Sequence, residues 1–429
     1  MQFNASETLL ERALKTIPLG SQTFSKSFKH YPVGVSPLFA EKGQGAYLYD
    51  ADGNQFIDMV NALAAVTLGY CDHDVNEAIK KQLDKGVIFS LSNELELRLS
   101  EKIVELIPCA EMVRYGKNGS DATTAAIRLA RAYTNKEEVA VCGYHGWHDW
   151  YIGSTDKKLG VPKCVQELTY SFQYNNIDSL KKIIENPDIQ LAAVIMEPMN
   201  VCFPEAGFLQ DVRELCTDNG IILIFDETVT GFRLSMNGAQ GLFGVTPDLA
   251  TFGKGIANGM PLSVLCGRKD IMSMLDEVFF SFTYGGELLS IAAALEVIDK
   301  LEREGGLSLI EQRGERLKAG LTELLDEYQL NDVLQVTGHG SWSFLLFKIL
   351  DETELYLWKT LFMQETLAQG LITLGSHNLT LSHDDEIIDQ VLECYGRVFQ
   401  VLSQAKQTSD IRSRLQTEPL TPLFAVRKK

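Results

Sequence analysis

The chain has 429 residues, 45% of them hydrophobic and 22% charged, which is the balance of a globular protein with room for one large domain and a smaller one. A formal net charge of −18, with basic residues clustering only at the terminal Arg427-Lys428-Lys429, argues against nucleic acid or a membrane surface as the main partner. No apolar run reaches the ~18 residues of a spanning helix, the N-terminus lacks a signal-peptide core, and the cysteines form no CxxC pair, so a cytoplasmic protein with reduced thiols and no metal site is expected.

Residues 5–17 carry Leu9, Leu10, Ala13, Leu14 and Ile17 at helical spacing, and Pro18 stops the helix. Residues 20–37 form a polar, Ser-rich loop, and loops of that length are usually functional or disordered. Residues 45–58 read as two strands joined by an Asp-Gly turn, a structural hairpin. Helices are predicted over 74–85 and 93–106.

A strand over 111–115 then meets the turn Gly116-Lys117-Asn118-Gly119-Ser120-Asp121 and an alanine-rich helix over 122–133. Strand, glycine turn and helix N-terminus together offer free N–H groups and a positive dipole end to an anion. Ser120 or Asp121 acting only as a helix cap explains the same turn equally well. The next strand, 139–143, runs into Tyr144-His145-Gly146-Trp147-His148-Asp149-Trp150-Tyr151. His145, His148 and Asp149 lack any metal-binding pattern or distant ligand. A flat ligand ring stacked on Tyr144 or Trp147 is the better reading, with an aromatic core cluster as the alternative.

Residues 157–163 read as a surface loop and 178–185 as a short helix. The strand 191–196 ends at Glu197-Pro198, a helix covers 209–219, and the strand 221–225 ends at Asp226-Glu227. Strands apolar on both faces and alternating with helices imply a mainly parallel sheet covered on both sides. Ligands bind beyond the carboxyl ends of such strands. That edge brings together Gly119-Ser120, Tyr144-His145, Glu197, Asp226 and the stretch Thr251-Phe252-Gly253-Lys254-Gly255.

Lys254 lies between two glycines after an apolar strand, where desolvation favours a neutral, nucleophilic amine. This is the setting of a lysine that forms a Schiff base with pyridoxal phosphate. Asp226, after five apolar residues, needs a partner if buried. It caps the next segment, pairs with a cation such as Arg233, or bonds a protonated pyridine nitrogen. A dinucleotide site is disfavoured, because the glycines at 253–259 miss the GxGxxG register and no acidic partner follows.

Beyond a strand over 262–267, the loop 281–287 opens a helix over 288–304, with Thr283 a second candidate phosphate contact. A helix over 311–328, strands over 333–336 and 342–347, and helices over 352–369 and 384–404 imply a smaller α+β domain. The expected division is an N-terminal segment 1–55, a large domain 56–305, and a small domain 306–429 whose tail, from residue 410, lacks clear period.

With these motifs in hand, the chain resembles the class III, fold-type I, pyridoxal-phosphate-dependent aminotransferases over about residues 15–405. The resemblance rests on Asn118-Gly119-Ser120-Asp121-Ala122, Tyr144-His145-Gly146, Glu197-Pro198-Met199-Asn200, Phe225-Asp226-Glu227-Thr228-Val229, Phe252-Gly253-Lys254-Gly255 and Phe282-Thr283-Tyr284-Gly285-Gly286, in that order. It implies an α/β fold whose large domain holds a mainly parallel, seven-stranded sheet. It implies Lys254 as the Schiff-base lysine, Asp226 on the pyridine nitrogen, Tyr144 and Val229 on the ring faces, and His145 and Asn200 as further cofactor contacts. Gly119, Ser120 and Thr283 of the partner subunit would hold the phosphate, so a homodimer with shared sites is implied. Lys26, Glu197 and Trp147 are the candidate substrate contacts.

Within the family, Ile17-Pro18-Leu19-Gly20-Ser21-Gln22-Thr23-Phe24-Ser25-Lys26 is similar to the substrate loop of glutamate-1-semialdehyde 2,1-aminomutase. Lys26 stands where that pattern has arginine, and lysine does not hold a carboxylate bidentately. Glu287 and Asn200 also depart from the pattern. The readings left open are an aminomutase or aminotransferase on a small amino aldehyde or keto acid, an aminotransferase on a keto sugar, and a cofactor-binding protein without turnover.

Overall fold

The computed structural model describes residues 1–423 and groups them into two compact units, Met1–Leu63 with Leu68–Asp72 and Ser308–Leu423, and Ala64–Thr67 with His73–Leu307. The first unit opens on a helix, Asn4–Ala13, which ends before Pro18 as single turns continue to Ile17. The loop that follows contains two 3-10 turns, Phe24–Lys26 and Phe28–His30. Strand β1 (Ala40–Gln44) then pairs antiparallel with β2 (Tyr47–Asp50), and β2 with β3 (Gln55–Asp58). The Asp-Gly turn forms as the sequence predicts: Gly53 sits at φ 85°, and Asp50 Oδ1 accepts from the amides of Asp52 and Asn54. Strand β1 is a gain over the sequence reading, because its residues are nearly all exposed and give no apolar alternation.

The second unit is built on a seven-stranded sheet. Its strands are β4 (Met112–Gly116), β5 (Glu138–Cys142), β6 (Thr169–Ser171), β7 (Leu191–Met196), β8 (Ile222–Asp226), β9 (Leu249–Phe252) and β10 (Ser263–Gly267). Their order is β4-β10-β9-β8-β7-β5-β6, with β10 antiparallel to both neighbours and every other pair parallel. The mainly parallel sheet is as expected. Alternate residues of each strand serve opposite faces. Val139, Val141, Ala193, Ile195, Ile222 and Ile224 pack with Ala122, Ala126, Leu129 and Ala130 of the helix Gly119–Thr134. Ala140, Val194, Met196, Leu223 and Phe225 pack with Leu209, Val212 and Cys216 of the helix Phe208–Asp218. Alanines on the first helix let it lie close to the sheet, so the helix axis, and hence its N-terminus, is fixed against the strand ends.

The first unit is completed by β11 (Leu334–His339) and β12 (Trp342–Phe347), paired antiparallel, by β13 (Leu371–Ile372), parallel to β3, and by β14 (Ser376–Asn378), antiparallel to β12. Long helices Gly306–Glu327, Glu352–Ala368 and Asp385–Thr408 accompany them. The tail expected from residue 410 contains one short helix, Ile411–Arg414, and its last six residues lie outside those described. No helix among the described residues is long and apolar enough to cross a membrane.

Candidate active site

A cavity of about 290 Å³ opens at the carboxyl edge of β4, β5, β7, β8 and β9, where the parallel-sheet rule places it. Gly119, Ser120, Tyr144, His145, Glu197, Asp226, Val229 and Lys254 all line it. They stand at or just beyond the ends of five strands, or begin the helix after one, so residues spread over 136 positions converge because those strands run the same way.

At one end of the cavity lies the N-terminus of Gly119–Thr134. Asp121 and Ser120 of this turn are placed differently. Asp121 caps: its Oδ2 accepts from the amides of Lys117 (3.0 Å) and Asn118 (2.7 Å). Ser120 lines the cavity, and its Oγ accepts from the Trp147 amide at 3.3 Å. Gly146 makes that approach possible. It sits at φ +101°, and a Cβ there would lie 2.2 Å from Ser120 Oγ.

Asp226 is 4% exposed. Its Oδ2 lies 2.9 Å from His145 Nδ1, and its Oδ1 accepts from the Thr228 hydroxyl (2.5 Å), the Thr228 amide (3.1 Å) and the Thr251 hydroxyl (3.2 Å). Burial alone would raise its pKa. The hydrogen bonds and charge offered by His145, with those from Thr228, outweigh burial and hold the carboxyl below the usual carboxylate range. Asp226 is therefore an ionised acceptor at neutral pH. The partner anticipated for it, Arg233, donates to the carbonyls of Ala64 and Val66.

Lys254 begins a 3-10 turn, Lys254–Ala257, in the left-handed region at φ 48°. Such a backbone costs about 1–3 kcal/mol for a residue with a Cβ, and it persists only where the surroundings enforce it. Those surroundings are visible. Thr67 Oγ1 donates to the Gly255 carbonyl at 3.3 Å, and the Asn258 side chain accepts from the Thr67 amide at 2.8 Å. A Cβ at Gly255 would lie 2.2 Å from Thr67 Oγ1, so the glycine after Lys254 lets the tether close. Lys254 itself is half-buried.

Four other residues singled out from the sequence do not line this cavity. Asn200 donates to Glu197 Oε2 at 2.8 Å, which turns it toward another side chain of the site. Trp147 is 67% exposed, with its ring against His148. Thr283 is exposed and lines a second cavity with Phe89, Leu91 and Gly286. Lys26 is exposed and belongs to the other compact unit. Conversely, the cavity recruits Lys117, Thr228 and Ala65, which the sequence reading left aside. The signal for Thr228 was available, since an Asp-x-Thr turn lets a hydroxyl reach back to the carboxylate. Ala65 carries no chemical signal at all.

A buried carboxylate, a constrained lysine and a helix N-terminus thus surround one cavity at a parallel-sheet edge. Comparison with known proteins names the class. A model of the class-III aminotransferases matches residues 30–399. The chain is 40% identical over 364 residues to the 3-aminobutyryl-CoA aminotransferase of Cloacimonas acidaminovorans (strain Evry), covering 83% of this chain and 86% of that one. It is 38% identical over 363 residues to glutamate-1-semialdehyde 2,1-aminomutase 2 of Lachnoclostridium phytofermentans, covering 80% and 84%. Among solved structures, an omega-transaminase from Sphaerobacter thermophilus superposes with a TM-score of 0.84 at 29% identity, over 92% of this chain and 97% of that one. The chain belongs to the class-III aminotransferase family. It is a pyridoxal-phosphate-dependent enzyme of amino-group transfer.

Proposed function

We propose that Lys254 bears the pyridoxal phosphate and that Asp226 holds the ring nitrogen, in an enzyme that moves an amino group between a small amine and a small carbonyl compound. The observation that carries this reading is that Lys254 and Asp226 line one cavity with a helix N-terminus. The donor set fits the cofactor group by group. Gly119 and Ser120 offer an amide and a hydroxyl to a phosphate, Tyr144 and Val229 offer faces to a ring, Asp226 offers an acceptor, and Lys254 offers an amine.

When bound, pyridoxal phosphate supplies an electron sink for the negative charge that develops at the substrate carbon. Asp226, kept ionised by His145 and Thr228, would accept from the ring N–H and so hold a proton there. Once the incoming substrate amine has displaced Lys254, its freed Nζ would take a proton from the substrate carbon and return one, as a general base and then a general acid. His145 and Asn200 act as second contacts, orienting Asp226 and Glu197. Glu197, which lines the cavity, is assigned to substrate. Thr283 is assigned to the phosphate of the partner subunit in a homodimer, a reading supported by its exposure on a loop outside its own cavity.

The test is purified protein offered a panel of amines with and without a carbonyl acceptor. Amino transfer that Lys254→Ala lowers by about 10²-fold or more supports the reading. Full turnover in Lys254→Ala contradicts it. Conversion of an amino aldehyde with no added donor identifies a mutase, and strict dependence on a donor identifies a transaminase.

A further inference from the structure

The sequence of the turn before Gly119 includes a cation that the reading above leaves unused. Lys117 lines the cavity beside Asn118, Gly119 and Ser120. Its side chain is 15% exposed and that of Glu287 12%, and the two are joined at 2.9 Å. Lys117 Nζ also lies 3.4 Å from Ser290 Oγ. Glu287 is itself fixed, because it caps the helix Leu288–Arg303 by accepting from the amides of Leu289 and Ser290 and from the Ser290 hydroxyl. The Lys117 amide is held by Asp121. The lysine is thus anchored at its backbone and at its ammonium group.

An ammonium group has three donors, and Glu287 and Ser290 use two. Because Lys117 lines the cavity, its remaining donor is the one that a ligand seated there would use. The charge balance matters as much. Asp121 holds the amides of this turn and Glu287 holds the Lys117 ammonium, so two carboxylates stand behind the turn against one Lys117. A phosphate seated at the helix N-terminus without that lysine would face like charges, and the dipole alone offsets only about half an elementary charge.

We propose that Lys117, positioned by Glu287, is a phosphate-binding residue of this enzyme. The proposal rests on the placement of the cofactor phosphate at Gly119 and Ser120. It assigns Lys117 the task of distinguishing a phosphorylated pyridoxal from an unphosphorylated one. Glu287 is a positioning residue that holds the ammonium against the turn.

The experiment titrates the full-length protein, stripped of cofactor, with pyridoxal phosphate and with pyridoxal, and compares the two dissociation constants. Wild-type protein that does not prefer pyridoxal phosphate would sink the underlying placement of the phosphate, whatever Lys117 does. Given that preference, Lys117→Met should reduce it by about tenfold or more, the worth of a charge-assisted hydrogen bond. Lys117→Arg should retain most of it. Because Lys117→Met also strands a buried carboxylate, the decisive variant is the double substitution Lys117→Met with Glu287→Gln, which removes both charges. If the double variant still loses the preference, the lysine acts on the phosphate. If it regains the wild-type preference, Lys117 only neutralises Glu287 and the proposal fails.

Discussion

His145 Nδ1 lies 2.9 Å from Asp226 Oδ2, with both side chains almost wholly buried. An ionised carboxylate only accepts, so Nδ1 carries the proton and donates it. The imidazole thereby keeps ionised a group that its surroundings would otherwise neutralise. His145→Ala should let burial win and raise the Asp226 pKa. The acid limb of the kcat/KM profile should then move to higher pH, as Asp226 takes a proton at a pH where the wild type has none. An unmoved limb would show that the pair does not control the reaction.

The same shift has a sign for stability. The folded-state pKa of Asp226 lies below its ordinary value of 3.8. Its contribution to folding is therefore complete above that value and is lost as pH falls through the lower folded one. Asp226→Asn should remove that acid-side loss. Urea unfolding of both proteins between neutral pH and the acid limit measures it. The expected result is a shallower fall with pH in the variant.

Gly146→Ala tests the close approach beneath the helix N-terminus. The new Cβ meets Ser120 Oγ at 2.2 Å on a left-handed backbone. A stability loss of roughly 1–3 kcal/mol in thermal or urea unfolding is expected from the strain. Cofactor affinity should fall as well, since Ser120 must shift. A variant with unchanged affinity would place the phosphate away from Ser120.

Tyr144 and Trp147 should separate cleanly. Tyr144 lines the cavity, while Trp147 is exposed and does not. Tyr144→Ala should weaken pyridoxal phosphate by roughly two- to tenfold, the worth of a ring contact. Trp147→Ala should leave its dissociation constant within experimental error. Titration of both variants by absorbance decides between them.

These residues also show what could be read from the sequence and what could not. The strand Leu191–Met196 is buried at every position, and its unbroken apolar run said so. The carboxyl-edge rule then sufficed to bring Ser120, Tyr144, Asp226 and Lys254 together, because it depends on chain direction alone. Trp147 looked like Tyr144 in the sequence, since adjacent positions after a strand carry no period to separate the faces. The pairing of His145 with Asp226 joins residues 81 apart and exists only once β5, β7 and β8 are side by side. The short edge strand β6 was hidden for want of an apolar pattern, and the reversed direction of β10 because periodicity carries no sense of direction. Lys117 drew no reading from the sequence, because its partner Glu287 lies 170 positions on.

The most direct measurement is to find which lysine carries the cofactor. Borohydride reduction of the pyridoxal-phosphate-loaded enzyme fixes the cofactor to its lysine, and peptide mass spectrometry locates it. Lys254 alone should be modified, and Lys254→Ala should carry no label. A label on Lys117, or on any lysine other than Lys254, would contradict the placement of the chemistry at the end of β9.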